Sequence, residues 1–441
     1  MPRLLIVIAA CFFVSSSGGD VPKQTSVEIQ HNQGSLEPAM TTTQELAFGS
    51  PEEVGMSAER LKKIDDLVQE YIDAGRIQGV VIGVTRRNKV VYMEAHGVID
   101  KLTQRPMRKD SLFQMVSSTK PVLGVAAMMM IEEGLISPED PVEKYIPEFK
   151  GIQVAVSRNP VDKKVKDKNK SKNKIEKQKV PDYQLVDVNR PLTIHDLLTH
   201  TAGLRTGGLG SAVSNLDRPG ESDTLASWVS RVGAGPLDFQ PGTRWAYSGT
   251  VGLDVVARII EIVSDTPFNE FVQKRIFDPL DMKDTHWIVP EDKLDRMPVI
   301  SNDKGPWIKS PNYFSGSLGL KSTARDYMHF EQMLANQGTL FGHRLLKPES
   351  VAMMSTNQVG NLFNETGKGG SGRGFGYTVG ITMNPEQAGD GRLAGAFGWG
   401  GAAGTVSWTT PGEELTVVYM VQQPTDLPWK LAEVVRDAIE D

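Results

Sequence analysis

Cysteine is nearly absent from this chain of 441 residues, since Cys11 is the only one. An internal disulfide is therefore excluded. Because Cys11 lies in an N-terminal segment that reads as an export signal, a cysteine nucleophile in the mature protein is excluded as well. A positive overall charge is also lacking, since the formal net charge is −6 at pH 7. No global basic field therefore points to a nucleic-acid partner.

The N-terminus lacks an apolar run long enough to cross a bilayer. Residues Leu4–Val14 supply eleven apolar positions, whereas a spanning helix needs about 20. A short basic start and the small residues Ser15–Gly19 complete the pattern of a signal peptide over residues 1–19. We expect an exported protein, periplasmic or secreted. The segment Ile8–Cys11 resembles a bacterial lipoprotein cleavage box, so envelope anchoring by a lipid on Cys11 is the alternative.

Two segments have compositions that predict no packed core. Residues 20–48 are rich in Thr, Gln and Ser without periodicity, which predicts a disordered tether. Residues 161–180 hold nine lysines and three acidic residues, which predicts a solvated surface insertion within residues 156–190. Contact of this insertion with a polyanion or an anionic surface is the alternative interpretation.

Apolar periodicity predicts strands near both ends of the remaining body. Ser57 caps a predicted helix, and residues 79–85 and 90–95 form a predicted β-hairpin. Alternating or continuous apolar runs after residue 370 predict further strands, followed by an amphipathic helix over residues 427–440.

The intervening segment has mainly helical periodicity, with predicted helices over residues 192–204, 251–264 and 323–336. We therefore predict one α/β (α+β) domain over residues 49–441. Its antiparallel sheet would be built from residues 49–112 and 370–441 and flanked by N- and C-terminal helices. Residues 113–369 would form an inserted, mainly helical part.

The stretch from Met115 to Pro121 places the hydroxyl of Ser117 and the amine of Lys120 three residues apart, before an apolar helix. Residues at i and i+3 of a helix face the same way. Pro121 is tolerated only in a first helical turn, so we expect the helix to begin near Ser117. Free N–H groups and the helix dipole would stabilise an oxyanion there. Two other Ser-x-x-Lys copies lie in polar segments: Ser171/Lys174 and Ser301/Lys304.

The commoner catalytic patterns are missing. No Gly-x-Ser-x-Gly elbow occurs, since Ser315–Gly319 fails at its first position. No His-Glu-x-x-His spacing occurs either. His195 and His200 lie five residues apart, so they do not share a helical face, and we expect both to be structural. We expect neither a metal nor a cofactor.

Two further stretches carry functional signals. Residues 239–249 place Tyr247 on a turn before the helix predicted over residues 251–264, where its hydroxyl could face a cleft. Residues 398–404 form a glycine-rich strand end, where the backbone can approach a ligand closely.

In chain order, Ser117-x-x-Lys120, the Tyr247 turn and the glycine-rich strand end resemble the three motifs of the serine β-lactamase and penicillin-binding-protein superfamily. The chain is most similar to the class C-like branch, which includes the family VIII carboxylesterases. Residues 193–204 and 315–327 also resemble that branch, and the resemblance extends over about residues 50–440. It implies a β-lactamase/transpeptidase-like fold.

The resemblance also implies roles for individual residues. Ser117 would be the acylated nucleophile, Lys120 its base and orienting partner, and Tyr247 the proton shuttle. The N–H groups of Ser117 and Ala402 would form the oxyanion hole. The substrate-binding residues would be Trp399, Gly400 and Gly401.

The chain departs from the lactamase motifs at two positions. Gly249 stands where the family's Tyr-x-Asn has its amide, and Trp399 replaces the cation of Lys-Thr-Gly. An indole favours neutral acyl or alkyl groups over carboxylates. The resulting prediction is a serine hydrolase that cleaves carboxylic esters of small acyl groups. The alternatives are a β-lactamase or D-alanyl-D-alanine carboxypeptidase/D-aminopeptidase acting on a peptidoglycan-like substrate, and a non-enzymatic envelope binding protein.

Overall fold

The computed structural model describes residues 44–159, 180–299, 308–366 and 371–441. The predicted signal peptide, most of the predicted tether and nearly all of the lysine-rich run lie outside these residues. The two flanks of the predicted insertion are described. There, Gln153–Ser157 pairs antiparallel with Tyr183–Asp187.

The described residues contain fifteen strands, most of them short. In chain order they are β1 Ala47–Phe48, β2 Gly79–Arg86, β3 Lys89–Asp100, β4 Arg105–Pro106, β5 Phe113–Gln114, β6 Gln153–Ser157, β7 Tyr183–Asp187, β8 Lys321–Ser322, β9 Thr339–Leu340, β10 His343–Arg344, β11 Arg373–Phe375, β12 Gly380–Thr382, β13 Phe397–Gly398, β14 Val406–Thr410 and β15 Leu415–Met420.

Twelve α-helices lie in the same ranges, and most of them fall between β5 and β11. They are α1 Ala58–Leu61, α2 Lys63–Asp73, α3 Lys120–Glu132, α4 Ile194–Leu198, α5 Leu209–Ser214, α6 Leu225–Gly233, α7 Gly252–Ser264, α8 Phe268–Val272, α9 Ala324–Ala335, α10 Pro348–Ser355, α11 Pro385–Ala388 and α12 Leu427–Asp437. None of the helices in the described part is both long and apolar enough to cross a membrane.

The main sheet is built from both ends of the domain. Its order is β1-β3-β2-β15-β14-β13-β12-β11, with β4 paired to β3. The N-terminal hairpin meets the C-terminal strands where β2 pairs antiparallel with β15, with Val81 opposite Met420. Only the β1–β3 pair is parallel within the described part of this sheet. The predicted antiparallel sheet from two distant segments is confirmed.

Strand β2 lies at the centre of a three-layer arrangement and is buried along its whole length. Val80 and Ile82 pack with the apolar faces of α2 and α12. Val81 points to the opposite face, where α9 covers β2, β14 and β15. A strand covered on both faces is apolar nearly throughout, which explains the continuous run in the sequence.

Several predicted elements differ in extent from the observed ones. The strand predicted over residues 374–383 is divided into β11 and β12, because Thr378 adopts a left-handed φ of 67° and the chain turns back. The helix predicted over residues 192–204 ends early, at Leu198. Helix α9 belongs by sequence to the inserted part, yet it packs on the sheet.

Glu331 is a buried carboxyl between α9 and the sheet. Its Oε1 accepts from Ser407 Oγ at 2.5 Å and its Oε2 accepts from Thr409 Oγ1 at 2.6 Å. Burial raises the pKa of Glu331 from 4.5 to about 7, against the opposing effect of these two hydroxyl donors. A raised carboxyl pKa means that the folded state retains a proton that the unfolded state releases, so Glu331 lowers stability as the pH rises from about 4.5 to 7.

We therefore expect Glu331→Gln to raise the free energy of unfolding more at pH 8 than at pH 4.5. The effect of the substitution at pH 8 should exceed its effect at pH 4.5 by roughly 3 kcal/mol, because the variant has no charge to bury. Urea unfolding at both pH values measures it. Glu70→Gln, at an exposed position of α2, is the matched control and should show little change. An equal effect of Glu331→Gln at both pH values would contradict the account.

Candidate active site

Ser117 lies in a 3₁₀ turn, Val116–Thr119, that leads directly into α3. The regular α-helix thus begins at Lys120, slightly later than the sequence suggested, with Pro121 in its first turn. Val116 has a φ of +46°, which a β-branched residue rarely adopts. Such strain persists only where the surrounding structure enforces it, and it is frequent next to functional groups.

Contacts from three directions hold this turn. From α9, Tyr327 Oη donates to the Ser118 carbonyl at 2.6 Å. From the far end of the chain, Thr405 Oγ1 donates to the Met115 carbonyl at 3.2 Å and contacts Ser118 Oγ at 3.0 Å. The Met115 N–H donates to the Leu320 carbonyl at 2.9 Å. The backbone around Ser117 is therefore fixed by segments that are remote in sequence.

Lys120 is completely buried beside Ser117. Its Nζ donates to Ser117 Oγ at 3.3 Å, to the Gly249 carbonyl at 2.8 Å and to the Ser317 carbonyl at 2.7 Å. The two carbonyls take two of the three contacts of the nitrogen, and the third faces the Ser117 hydroxyl. No carboxylate in the described ranges lies within ion-pair distance of it. Neutral dipoles therefore aim the amine at the hydroxyl.

Asp254, in the first turn of α7, fixes the loop that supplies one of these carbonyls. Its carboxylate accepts from Tyr313 Oη at 2.6 Å, from Ser315 Oγ at 2.7 Å and from the Ser317 N–H at 2.8 Å. Burial raises the pKa of Asp254, and the three donors oppose that rise. The sequence prediction missed this residue. Its one signal is an acidic side chain near a helix N-terminus, which is common.

Tyr247 and Trp399 meet beside Lys120. Trp399 Nε1 donates to Tyr247 Oη at 3.1 Å, and Lys120 Nζ lies 5.1 Å from the centre of the Tyr247 ring. Within the described chain no hydrogen bond joins Tyr247 directly to Ser117 or Lys120. The structure thus brings together all three predicted catalytic side chains, and it gives Trp399 a contact with Tyr247 that the sequence did not indicate.

The two histidines lie behind the site. His200 packs edge-on against Tyr247, with ring centres 4.8 Å apart. Burial, and then the charge of Lys120, hold the pKa of His200 well below its ordinary value. His195 contacts Tyr377 Oη through Nδ1 at 3.1 Å. Neither histidine hydrogen-bonds to Ser117. In this geometry His200 packs against one side of the Tyr247 ring.

The glycine-rich strand end lies against the 3₁₀ turn that contains Ser117. A Cβ on Gly401 would lie 2.2 Å from the Met115 carbonyl oxygen, so only glycine permits this approach. Gly401 donates its N–H to Thr405, whereas the N–H groups of Ser117 and Ala402 donate to no group in the described residues. Two such free donors are what an oxyanion hole requires. No cluster of three His, Cys, Asp or Glu side chains suited to a metal ion occurs in the same ranges.

Together, fold and site define a class: serine acyl-transfer enzymes with a Ser-x-x-Lys nucleophile, a tyrosine from the helical part and a glycine-rich strand end. The chain matches the Beta-lactamase family model over residues 64–437, and it belongs to this family. The predicted superfamily, the fold class and the serine-hydrolase class are confirmed.

Named relatives extend this comparison. The chain is 31% identical to "Uncharacterized protein MT1414" of Mycobacterium tuberculosis, covering 82% of this chain and 89% of the relative. It is 28% identical to "Esterase EstB" of Burkholderia gladioli, covering 78% and 86%. Its fold is similar to the solved structure of "EstCE1, a hydrolase with promiscuous acyltransferase activity", with a TM-score of 0.69 at 22% identity, covering 87% of this chain and 99% of that one. The roles of individual site residues stay predictions.

Trp399→Phe should lower kcat on a simple acyl substrate such as p-nitrophenyl acetate by about fivefold, with little change in KM. The variant removes the N–H that positions Tyr247 Oη, and a hydrogen bond of this kind is worth about 1 kcal/mol. Steady-state kinetics measure the effect. Trp429→Phe, at an exposed tryptophan on α12, is the matched control and should retain wild-type kcat. Wild-type kcat in Trp399→Phe would show that the bond has no catalytic role.

Proposed function

We propose that this enzyme hydrolyses carboxylic esters through an acyl-enzyme on Ser117. The observation that carries the proposal is the buried Lys120 amine, 3.3 Å from Ser117 Oγ and held in place by two backbone carbonyls. A base in contact with a hydroxyl is the arrangement that activates a serine nucleophile.

In the first step, Ser117 Oγ attacks the ester carbonyl carbon, and its proton passes to the Lys120–Tyr247 pair. The carbonyl oxygen becomes an oxyanion facing the N–H groups of Ser117 and Ala402. Each donor of this kind stabilises a transition state by about 3 kcal/mol. The bond to the alcohol oxygen then breaks, and Tyr247 supplies the proton with which the alcohol leaves.

The second step regenerates the enzyme. Water attacks the acyl group on Ser117 and gives a proton to the same Lys120–Tyr247 pair. The bond between the acyl carbon and Ser117 Oγ breaks, the carboxylic acid is released, and Oγ recovers its proton. The net reaction consumes one ester and one water and needs no cofactor.

Two features favour an ester over a β-lactam or a D-alanyl peptide. Trp399 stands where the lactamase motif has a cation for the substrate carboxylate, and it is engaged with Tyr247. Gly249 contributes only its carbonyl, to Lys120, where that motif has an amide side chain. The esterase name of the Burkholderia gladioli relative supports the same choice.

We also propose that the enzyme is exported to the periplasm or the medium. Residues 1–19 support this by their basic start, apolar centre and small residues.

Hydrolysis of p-nitrophenyl butyrate tests the proposed activity. Wild type should turn the ester over, and Ser117→Ala should lose at least about a thousandfold in kcat, because the proposed acyl-enzyme forms on Ser117. Ser171→Ala, from another Ser-x-x-Lys copy, is the matched control and should keep full activity. Undiminished turnover in Ser117→Ala would contradict the proposal. Faster turnover of nitrocefin than of the ester would favour the lactamase alternative.

A further inference from the structure

Helix α9 presents two buried polar side chains, Tyr327 and Glu331, on one of its faces. They lie four residues apart, so they project from the helix in the same direction. Tyr327 Oη donates to the Ser118 carbonyl at 2.6 Å. Glu331 accepts from the hydroxyls of Ser407 and Thr409 on β14, at 2.5 Å and 2.6 Å. This face of α9 therefore contacts both the turn that contains Ser117 and strand β14.

The Ser407 hydroxyl faces Tyr327 as well as Glu331. Burial, and then the charge of Glu331, raise the pKa of Tyr327 well above its ordinary value, and the Ser407 hydroxyl opposes that rise. The other charged group that acts on Glu331 is Arg392, whose charge lowers the carboxyl pKa. No ion pair in the described ranges joins Arg392 to Glu331. The bonded partners of the carboxylate are thus neutral hydroxyls, and one of them stands beside Tyr327.

Strand β14 is joined in turn to the glycine-rich strand end. The Ser407 N–H donates to the Trp399 carbonyl at 3.3 Å, and the Gly401 N–H donates to the Thr405 carbonyl at 2.7 Å. Ala402 directly follows Gly401. A displacement of Ser407 would therefore pass to the segment that carries the Ala402 N–H.

Glu331 carries a cost in stability at neutral pH, because burial raises its pKa to about 7. A glutamine of nearly the same size would fill the same space without a charge. Groups with strongly shifted pKa values that are kept at such a cost are concentrated at functional sites. The contacts of Glu331 lead to one such site, the pair of N–H groups that faces the proposed oxyanion.

We propose that Glu331 is a positioning residue for the oxyanion hole. Beside Tyr327 it fixes the turn that carries the Ser117 N–H, and through Ser407 it fixes the strand end that carries the Ala402 N–H. The inference rests on the proposed ester hydrolysis. An oxyanion forms only in the transition state, so misplaced donors weaken catalysis more than substrate binding.

Kinetics of Glu331→Met on p-nitrophenyl butyrate test the proposal. The variant keeps the length of the side chain and removes both acceptors. We expect kcat to fall about tenfold with little change in KM, since loss of a whole oxyanion donor lowers kcat by about a hundredfold or more. Glu331→Gln retains an acceptor and should restore kcat to within about twofold of wild type.

Tyr327→Phe keeps the ring in place and carries the same test if Glu331→Met does not fold. It should lower kcat about fivefold, as loss of one hydrogen bond predicts. The double variant should lose less than the product of the two single losses, because both substitutions act on one network. Tyr71→Phe is the matched control. It removes the bond from a buried tyrosine to Asp426 on the opposite face of the sheet and should retain wild-type kcat.

A trifluoromethyl ketone provides a second measurement, because its adduct with a serine carries an oxyanion. Its inhibition constant should rise in Glu331→Met by the same factor as kcat/KM falls. Wild-type kcat in both Glu331→Met and Tyr327→Phe would overturn the positioning role, and so would a rise in KM at unchanged kcat. A loss that Glu331→Gln does not restore would overturn it too. Each of these results leaves the esterase proposal standing, whereas absence of ester turnover by wild type would overturn that proposal itself.

Discussion

The contacts of the buried Lys120 amine are the interactions on which the site depends. Its three acceptors come from segments far apart in the chain: Ser117, Gly249 and Ser317. In the proposed mechanism these segments carry the nucleophile, the turn with Tyr247, and the loop that Asp254 holds. Lys120 therefore contacts three parts of the proposed site at once.

Burying an amine costs free energy unless its hydrogen-bonding groups are satisfied. Here two backbone carbonyls accept hydrogen bonds from the Lys120 amine, and no carboxylate among the described residues forms an ion pair with it. The buried carboxylate of Asp254 does not contact Lys120 directly, but contacts the loop that supplies one of its carbonyl acceptors. Asp254 holds Ser315 and the Ser317 N–H, and in this way it sets the direction of the Ser317 carbonyl. A neutral loop thus lies between Lys120 and Asp254, and both side chains contact it.

Local patterns made much of the fold predictable. The β2–β3 hairpin, α7 and α12 follow from apolar periodicity and from turn residues within each segment. Helix α9 also follows from its own pattern, with Thr323 as its N-cap. Its packing on the sheet does not, since that contact depends on residues far along the chain. The contacts of Asp254 and the Trp399–Tyr247 hydrogen bond could not be predicted for the same reason. Each joins residues from different segments, and no spacing within one segment encodes it.

Replacing a lactamase-type cation by Trp399 changes two properties together. The indole removes a partner for substrate carboxylates, and its N–H takes up a contact with the tyrosine hydroxyl. In the proposed mechanism, selection of a neutral ester and positioning of the Tyr247 hydroxyl are therefore linked through one residue.

The central claim is that Ser117 becomes acylated. Peptide mass mapping after reaction with a fluorophosphonate ester tests it directly, since the adduct is stable and its mass is known. The account predicts one adduct, on the peptide that contains Ser117, and none in Ser117→Ala. An adduct on another serine, or an unlabelled enzyme that still hydrolyses esters, would contradict it.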